Sequence, residues 1–102
     1  MNGAAATTIH QRLEALKPQV LEVARRYGAS NLRIYGSIAT GLEHPASDLD
    51  LLIDLPKGQS LLGLIGLRQE LEDLLGCPVD LTEAENLHPL IRSQILEQAL
   101  AL

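Results

Sequence analysis

Two carboxylates, Asp48 and Asp50, stand two residues apart in an otherwise apolar, alternating stretch, and a third, Asp80, lies between Val79 and Leu81. On a strand, residues i and i+2 leave the same face, so Asp48 and Asp50 project together while Leu49, Leu51 and Ile53 turn into a core. Two carboxylates held side by side repel, and one has its pKa raised unless a cation intervenes. A hard divalent ion with oxygen ligands relieves this, and Mg2+ is the usual occupant when phosphates supply further ligands. Asp-x-Asp alone is weak evidence, because such pairs are more often solvated strand ends. Asp80 changes the weighting. A carboxylate in a strand otherwise fit for the interior should be exposed at the strand end or paired, since an uncompensated buried charge is costly. If its strand lies beside that of Asp48 and Asp50, three carboxylates converge. Three such ligands suit a two-metal site, with ions ~3.5–4 Å apart clamping the attacking and leaving oxygens of phosphoryl or nucleotidyl transfer. Asp54 shares their parity but lies about 13 Å beyond Asp50, which makes it a surface or capping residue.

Gly36-Ser37 supplies the complementary chemistry. A strand ending in a Gly-Ser turn exposes backbone N–H groups and a hydroxyl that can cradle phosphates. There is no Gly-Lys-Ser/Thr ending, so this is not a Walker A loop. Most Gly-Ser pairs are ordinary tight turns, and only the carboxylates nearby make this one notable.

Several elements must position these groups. Residues 1–6 read as a loose tail. From Thr7 or Thr8, either of which can cap a helix, apolar residues recur at Ile9, Leu13, Leu16, Val20, Val23, Ala24 and Tyr27, one face of a 3.6-residue period. Pro18 divides this into helical pieces at 8–16 and 17–27, with Gly28 as the stop. Strands are expected at 31–35, 48–55 and 77–83. Ser60 opens a leucine-rich helix to Leu75 with Gly76 after it, and Asn86 caps a last helix over 87–100 with Pro89 in its first turn. The order is α-β-β-α-β-α: an α/β (α+β) fold with one small mixed sheet and packed helices, a single domain over residues 1–102.

Composition narrows the function. The chain has 102 residues, 46% hydrophobic and 21% charged, with 22 leucines, no Phe or Trp, and a net charge of −5. A chain this size can bury a core and is too apolar to be disordered. The lack of aromatic platforms argues against single-strand nucleic-acid binding, and the acidic balance against a phosphate-backbone binder. Cys77, the one cysteine, cannot form an internal disulfide, which fits a reducing compartment. The uncharged run Gly58 to Leu67 is far short of the ~20 residues that span a bilayer. The N-terminus lacks the basic and apolar regions of a signal peptide. The expectation is a cytoplasmic protein with no membrane or direct nucleic-acid partner.

Gly36-Ser37, ten intervening residues, Asp48-x-Asp50, then Asp80 flanked by apolar residues on a later strand together resemble the polymerase-β-type nucleotidyltransferase superfamily. Within it, the chain resembles the minimal nucleotidyltransferase (MNT) branch, the antitoxins of HEPN/MNT toxin–antitoxin modules. The likeness runs from about Leu13 to Leu100 and includes Arg33-Ile34-Tyr35-Gly36-Ser37, Ser47-Asp48-Leu49-Asp50-Leu51-Leu52-Ile53, Gly76 to Leu81, and Leu87-His88-Pro89-Leu90-Ile91-Arg92. It implies that Gly36 and Ser37 hold the triphosphate of ATP and that Asp48 and Asp50 bind Mg2+. Asp80 would complete the metal site and help deprotonate the acceptor hydroxyl. The family's first motif commonly reads Gly-Ser-x-Ala-Arg-Gly, whereas Thr40 stands here in place of the arginine, which removes a cation. Arg68 is a candidate substitute, although a solvated helix face explains it as well.

The resemblance implies AMP transfer from ATP to a tyrosine hydroxyl of a cognate HEPN ribonuclease toxin, held in a hetero-oligomer and neutralised by the modification. The alternatives are an antitoxin that works by binding alone and a small-molecule nucleotidyltransferase subunit. Other residues carry less. His10, His44 and His88 lack metal-ligand spacing, Cys77 reads as structural, and Glu70, Glu72 and Asp73 as a solvated helix face. Tyr27 and Tyr35 read as core residues. Leu64, Leu67, Leu71, Leu74 and Leu75 form one stripe of the leucine-rich helix, leaving Leu61, Leu62 and Ile65 partly off it, either for a partner or for a second buried side.

Overall fold

The computed structural model describes residues 8–42, 47–58 and 61–102. The expected tail at 1–6, the alternative cap Thr7, His44 and the capping Ser60 lie outside them. Helix α1 (Ile9–Ala15) opens with Thr8, whose hydroxyl accepts from the Gln11 N–H at 3.0 Å while the Gln11 side chain accepts from the Thr8 N–H at 2.9 Å. This reciprocal capping box satisfies two amides that the first turn leaves without helical partners. Helix α2 (Lys17–Arg26) follows at once, with Pro18 in its first turn, where its missing N–H costs nothing. Pro18 therefore starts a helix rather than kinking one.

Strand β1 (Ser30–Tyr35) leads through Gly36 into a single helical turn, α3 (Ser37–Thr40), and then β2 (Leu49–Asp54). Helix α4 (Leu61–Leu75), strand β3 (Val79–Glu83), a 3-10 turn (Ala84–Asn86), helix α5 (Pro89–Gln98) and strand β4 (Leu100–Ala101) complete the described chain. The sheet order is β3-β2-β1-β4, with β1 antiparallel to β2 and β4, and β2 parallel to β3. The expected α/β architecture with one mixed sheet is present, and β3 lies beside β2. Three elements go beyond the expected order: the turn α3, the 3-10 turn, and β4, which pairs Leu100 with Ile34 and Ala101 with Arg33 at the end of the expected last helix. Asn86 sits in the 3-10 turn instead of capping. The cap of α5 is His88, whose Nδ1 accepts from the Leu90 N–H at 3.1 Å.

The two sheet faces are unequal. Leu32, Ile34, Leu49, Leu51, Ile53 and Val79 point to one side, where α1, α2 and α4 cover them with Leu13, Val20, Ala24, Leu67, Leu71 and Leu75. Arg12 ties this layer down, its guanidinium donating to the Leu75 carbonyl at 2.7 Å at the end of α4. Tyr27 is half-buried instead of sealed in the core, and its hydroxyl donates to Glu70 across the α2–α4 contact. On the other side a smaller cluster gathers Leu52, Ala84 and Leu87 with Tyr35 and Ile95. Helix α5 lies over this side and buries none of its own residues.

Candidate active site

The parallel register of β2 and β3 sets Asp50 beside Asp80, and the antiparallel register of β1 and β2 sets Tyr35 on Asp50's other side. Residues directly opposite in a sheet share a face, so Tyr35, Asp50 and Asp80 form a row across three strands on the side away from the large core. A second row of Arg33, Leu52 and Thr82 runs beneath. Asp48, one residue ahead of β2, completes the group. Asp48 and Asp80 are exposed, whereas Asp50 is partly covered. Burial, then the charge of Asp80, then that of Asp48 raise the pKa of Asp50 above the ordinary carboxylate value. Asp50 thus feels both neighbours, in an open row of hard oxygen donors of the kind a divalent cation takes. Among the described residues, no three His, Cys, Asp or Glu side chains stand close enough together, as placed, to hold a metal ion.

Above the row, Gly36 meets two demands that only glycine satisfies. Its φ is +76°, a conformation L side chains rarely adopt, and a Cβ there would collide with Asp50 Oδ2. The turn backbone therefore packs directly on the middle carboxylate. Ser37 Oγ donates to the buried Ser47 Oγ at 3.5 Å, linking the turn to the start of β2. Thr40 folds back, its hydroxyl 3.1 Å from the Gly36 carbonyl and 3.3 Å from that of Ser37. Where the family's arginine would bring charge, this chain has a hydroxyl that fastens the turn to itself. Arg33 is engaged lower on the face with Asp54 at 3.2 Å and with the Asn31 carbonyl at 3.1 Å. Asp54, expected as a surface or capping residue, is paired with Arg33. Arg68 is exposed and lines a groove with Asp80.

Tyr35 and Thr82 belong to this face, although the local pattern marks Tyr35 as a core residue and gives Thr82 no role. The Tyr35 hydroxyl lies 3.2 Å from Thr82 Oγ1, so the ring spans from β1 to β3 across β2 and floors the carboxylate row. Burial, followed by the Asp50 and Asp80 charges, outweighs the opposing Thr82 hydrogen bond and raises the phenol above its ordinary value. It stays protonated. The signal that could find both residues is strand pairing: a residue opposite Asp50 and a residue two beyond Asp80 must share their face.

The remaining candidates are structural. His10 pairs with Glu14 at 3.7 Å, and His88 caps α5. Cys77 packs at the edge of the large core and forms no disulfide. No helix among the described residues is long and apolar enough to cross a membrane.

Comparison with known proteins bears on the family and the fold. Residues 16–102 match the family model described as "Nucleotidyltransferase domain". A candidate protein adenylyltransferase of Methanocaldococcus jannaschii is 33% identical over 87 residues, covering 85% of this chain and 94% of the relative. A solved structure of a candidate minimal nucleotidyltransferase superposes with a TM-score of 0.84 at 37% identity, over 95% of this chain and 99% of the other. A toxin–antitoxin structure with AMP-PNP shares the fold, with a TM-score of 0.72 at 20% identity over 83% of this chain and 70% of that one.

Proposed function

The chain belongs to the nucleotidyltransferase-domain family, and from that premise we propose that it transfers AMP from ATP to a hydroxyl of a partner toxin, neutralising it. The observation that carries the reading is the close packing of the Gly36 turn on Asp50, with Asp50 in register beside Asp80. A phosphate-cradling turn and three metal-type carboxylates then share one end of one sheet face.

Gly36 and Ser37 receive the triphosphate, through backbone N–H groups and the Ser37 hydroxyl. Asp48, Asp50 and Asp80 are the residues that would hold Mg2+, and their donor set fits it: all-oxygen, open to solvent, and carrying a repulsion that a cation would cancel. When bound, Mg2+ neutralises the triphosphate and the charge developing on pyrophosphate. Asp80, exposed at the edge of the row, accepts the proton of the acceptor hydroxyl. The acceptor oxygen forms a bond to the α-phosphorus and the α–β bridging P–O bond breaks. Pyrophosphate leaves with that electron pair, and the proton passes from Asp80 to water.

The relative from Methanocaldococcus jannaschii supports a protein acceptor, and the fold-level likeness to a toxin–antitoxin complex supports a toxin. The sequence resemblance supports the finer assignment: a HEPN ribonuclease modified on tyrosine in the cytoplasm. Thr40 favours a second reading, neutralisation by binding alone, because it leaves the turn without a cation.

Intact-mass spectrometry of the neighbouring gene's product separates the two. Incubation with this protein, ATP and Mg2+ should add one or more AMP masses, and Asp48→Asn/Asp50→Asn should add none. A stable complex with unchanged masses, equally protective with the variant, would establish masking instead.

A further inference from the structure

Among the described residues, strand β3 is the edge of the sheet, with β2 as its one strand neighbour. Leu49 N–H donates to the Pro78 carbonyl at 2.9 Å. That contact fixes the alternation: Pro78 and Asp80 direct their backbone groups to β2, and Val79 and Leu81 direct theirs outward. The outward N–H of Val79 is occupied by Glu72 Oε2 at 2.9 Å. Leu81 is the next position outward, and no proline, lysine or arginine within Val79–Glu83 blunts the edge.

Beside this edge, on the α4 side, lies a groove of about 120 Å3 lined by Leu61, Leu64, Ile65, Arg68, Asp80 and Leu81. Leu61 is 70% exposed and Ile65 45%. An apolar slot therefore opens next to a strand edge that no described strand covers, and Asp80 borders both the slot and the carboxylate row.

We propose that β3 receives an extended segment of the acceptor protein as an added strand, with the modified residue opposite Asp80 and a bulky apolar neighbour in the slot. The alternation of side chains requires this arrangement. A residue paired with Asp80 puts its side chain on the carboxylate face, with Cβ atoms about 5 Å apart. The residues before and after it point to the other face, against Leu61, Ile65 and Leu81. Main-chain hydrogen bonds to Leu81 supply affinity, and the slot supplies selectivity. The recognised feature is thus a hydroxyl residue adjoining a large aliphatic or aromatic one in a segment that can extend. This inference rests on the AMP-transfer reading for its chemistry, while the docking itself is testable without it.

The test uses the full chain, the neighbouring gene's product as acceptor, and Ile65→Arg, an exposed position whose change leaves the core untouched. Transfer to the acceptor should fall by about tenfold or more, as for loss of an interface anchor, with ATP affinity within about twofold of wild type. In 15N-labelled wild-type protein, the Leu81 amide should gain protection from hydrogen exchange when the acceptor binds. Unchanged transfer by Ile65→Arg, an unprotected Leu81 amide in the complex, or failure of the acceptor to bind would each overturn the proposal. If the wild type protects Leu81 but adds no AMP, docking stands and the AMP-transfer reading fails.

Discussion

On one face of the sheet, Leu49, Leu51 and Ile53 are completely buried under three helices; on the other, the intervening Asp50 sits with Asp48 and Asp80 in a row open to solvent. The same six-residue strand, β2, builds both. Its odd positions contribute burial, at about 25 cal/mol per Å2 of apolar surface removed from water. Its even position Asp50 carries a carboxylate that its surroundings disfavour in charged form. The first face sets how firmly the protein folds. The second holds like charges together at a cost that only a cation and its phosphates would return, which is the pattern expected of a functional site.

The comparison breaks most visibly if the faces are altered in turn. Asp48→Asn/Asp50→Asn should lower AMP transfer by about 10³-fold or more, an effect near 4 kcal/mol on the barrier, while leaving the folded state intact by circular dichroism. Leu51→Ala should do the reverse, costing roughly 3 kcal/mol of unfolding free energy in urea titrations, with transfer per folded molecule little changed. A smaller effect is expected at the turn. Thr40→Arg should tighten ATP binding by about threefold in calorimetry, because a charge-assisted contact to phosphate replaces a hydroxyl folded back on its own turn. An equal or weaker affinity would show that the arginine position does not reach the nucleotide.

The pH dependence follows from Asp50. Its folded pKa lies above its unfolded value, so its contribution to stability is fully present below the ordinary carboxylate range and is lost as pH rises through the raised folded value. The stability of metal-free wild type should therefore fall relative to Asp50→Asn across that interval. Mg2+ affinity should rise across it, since the cation takes the charged form.

Much of this architecture is legible in the order of residues. The alternation of Leu49, Leu51 and Ile53 against Asp48 and Asp50 assigns the faces of β2, and Asp80 between Val79 and Leu81 identifies its counterpart on a neighbouring strand. Strand β4 is not legible, because two residues directly after a helix show no period and their pairing with Arg33 and Ile34 is a long-range event. Asn86 is a good capping residue by type, yet the turn Ala84–Asn86 claims that segment first and leaves His88 to cap α5. Tyr35 is invisible as a site residue for a similar reason. Its role depends on lying opposite Asp50 and reaching Thr82, neither of which its local sequence contains. The exposure of Leu61, Leu62 and Ile65 settles in favour of the surface a choice that the leucine pattern leaves open.

Thermal unfolding of wild type and Asp50→Asn, each with and without Mg2+ and a non-hydrolysable ATP analogue, tests the central claim most directly. Removal of a charge disfavoured by burial and by the neighbouring carboxylates should make metal-free Asp50→Asn melt about 2–5 °C above metal-free wild type. Ligand should raise the wild type by several degrees and the variant hardly at all. A variant that melts at or below wild type without ligand, and responds to ligand equally, would contradict the account: Asp50 would then be a structural carboxylate, and the open face no nucleotide site.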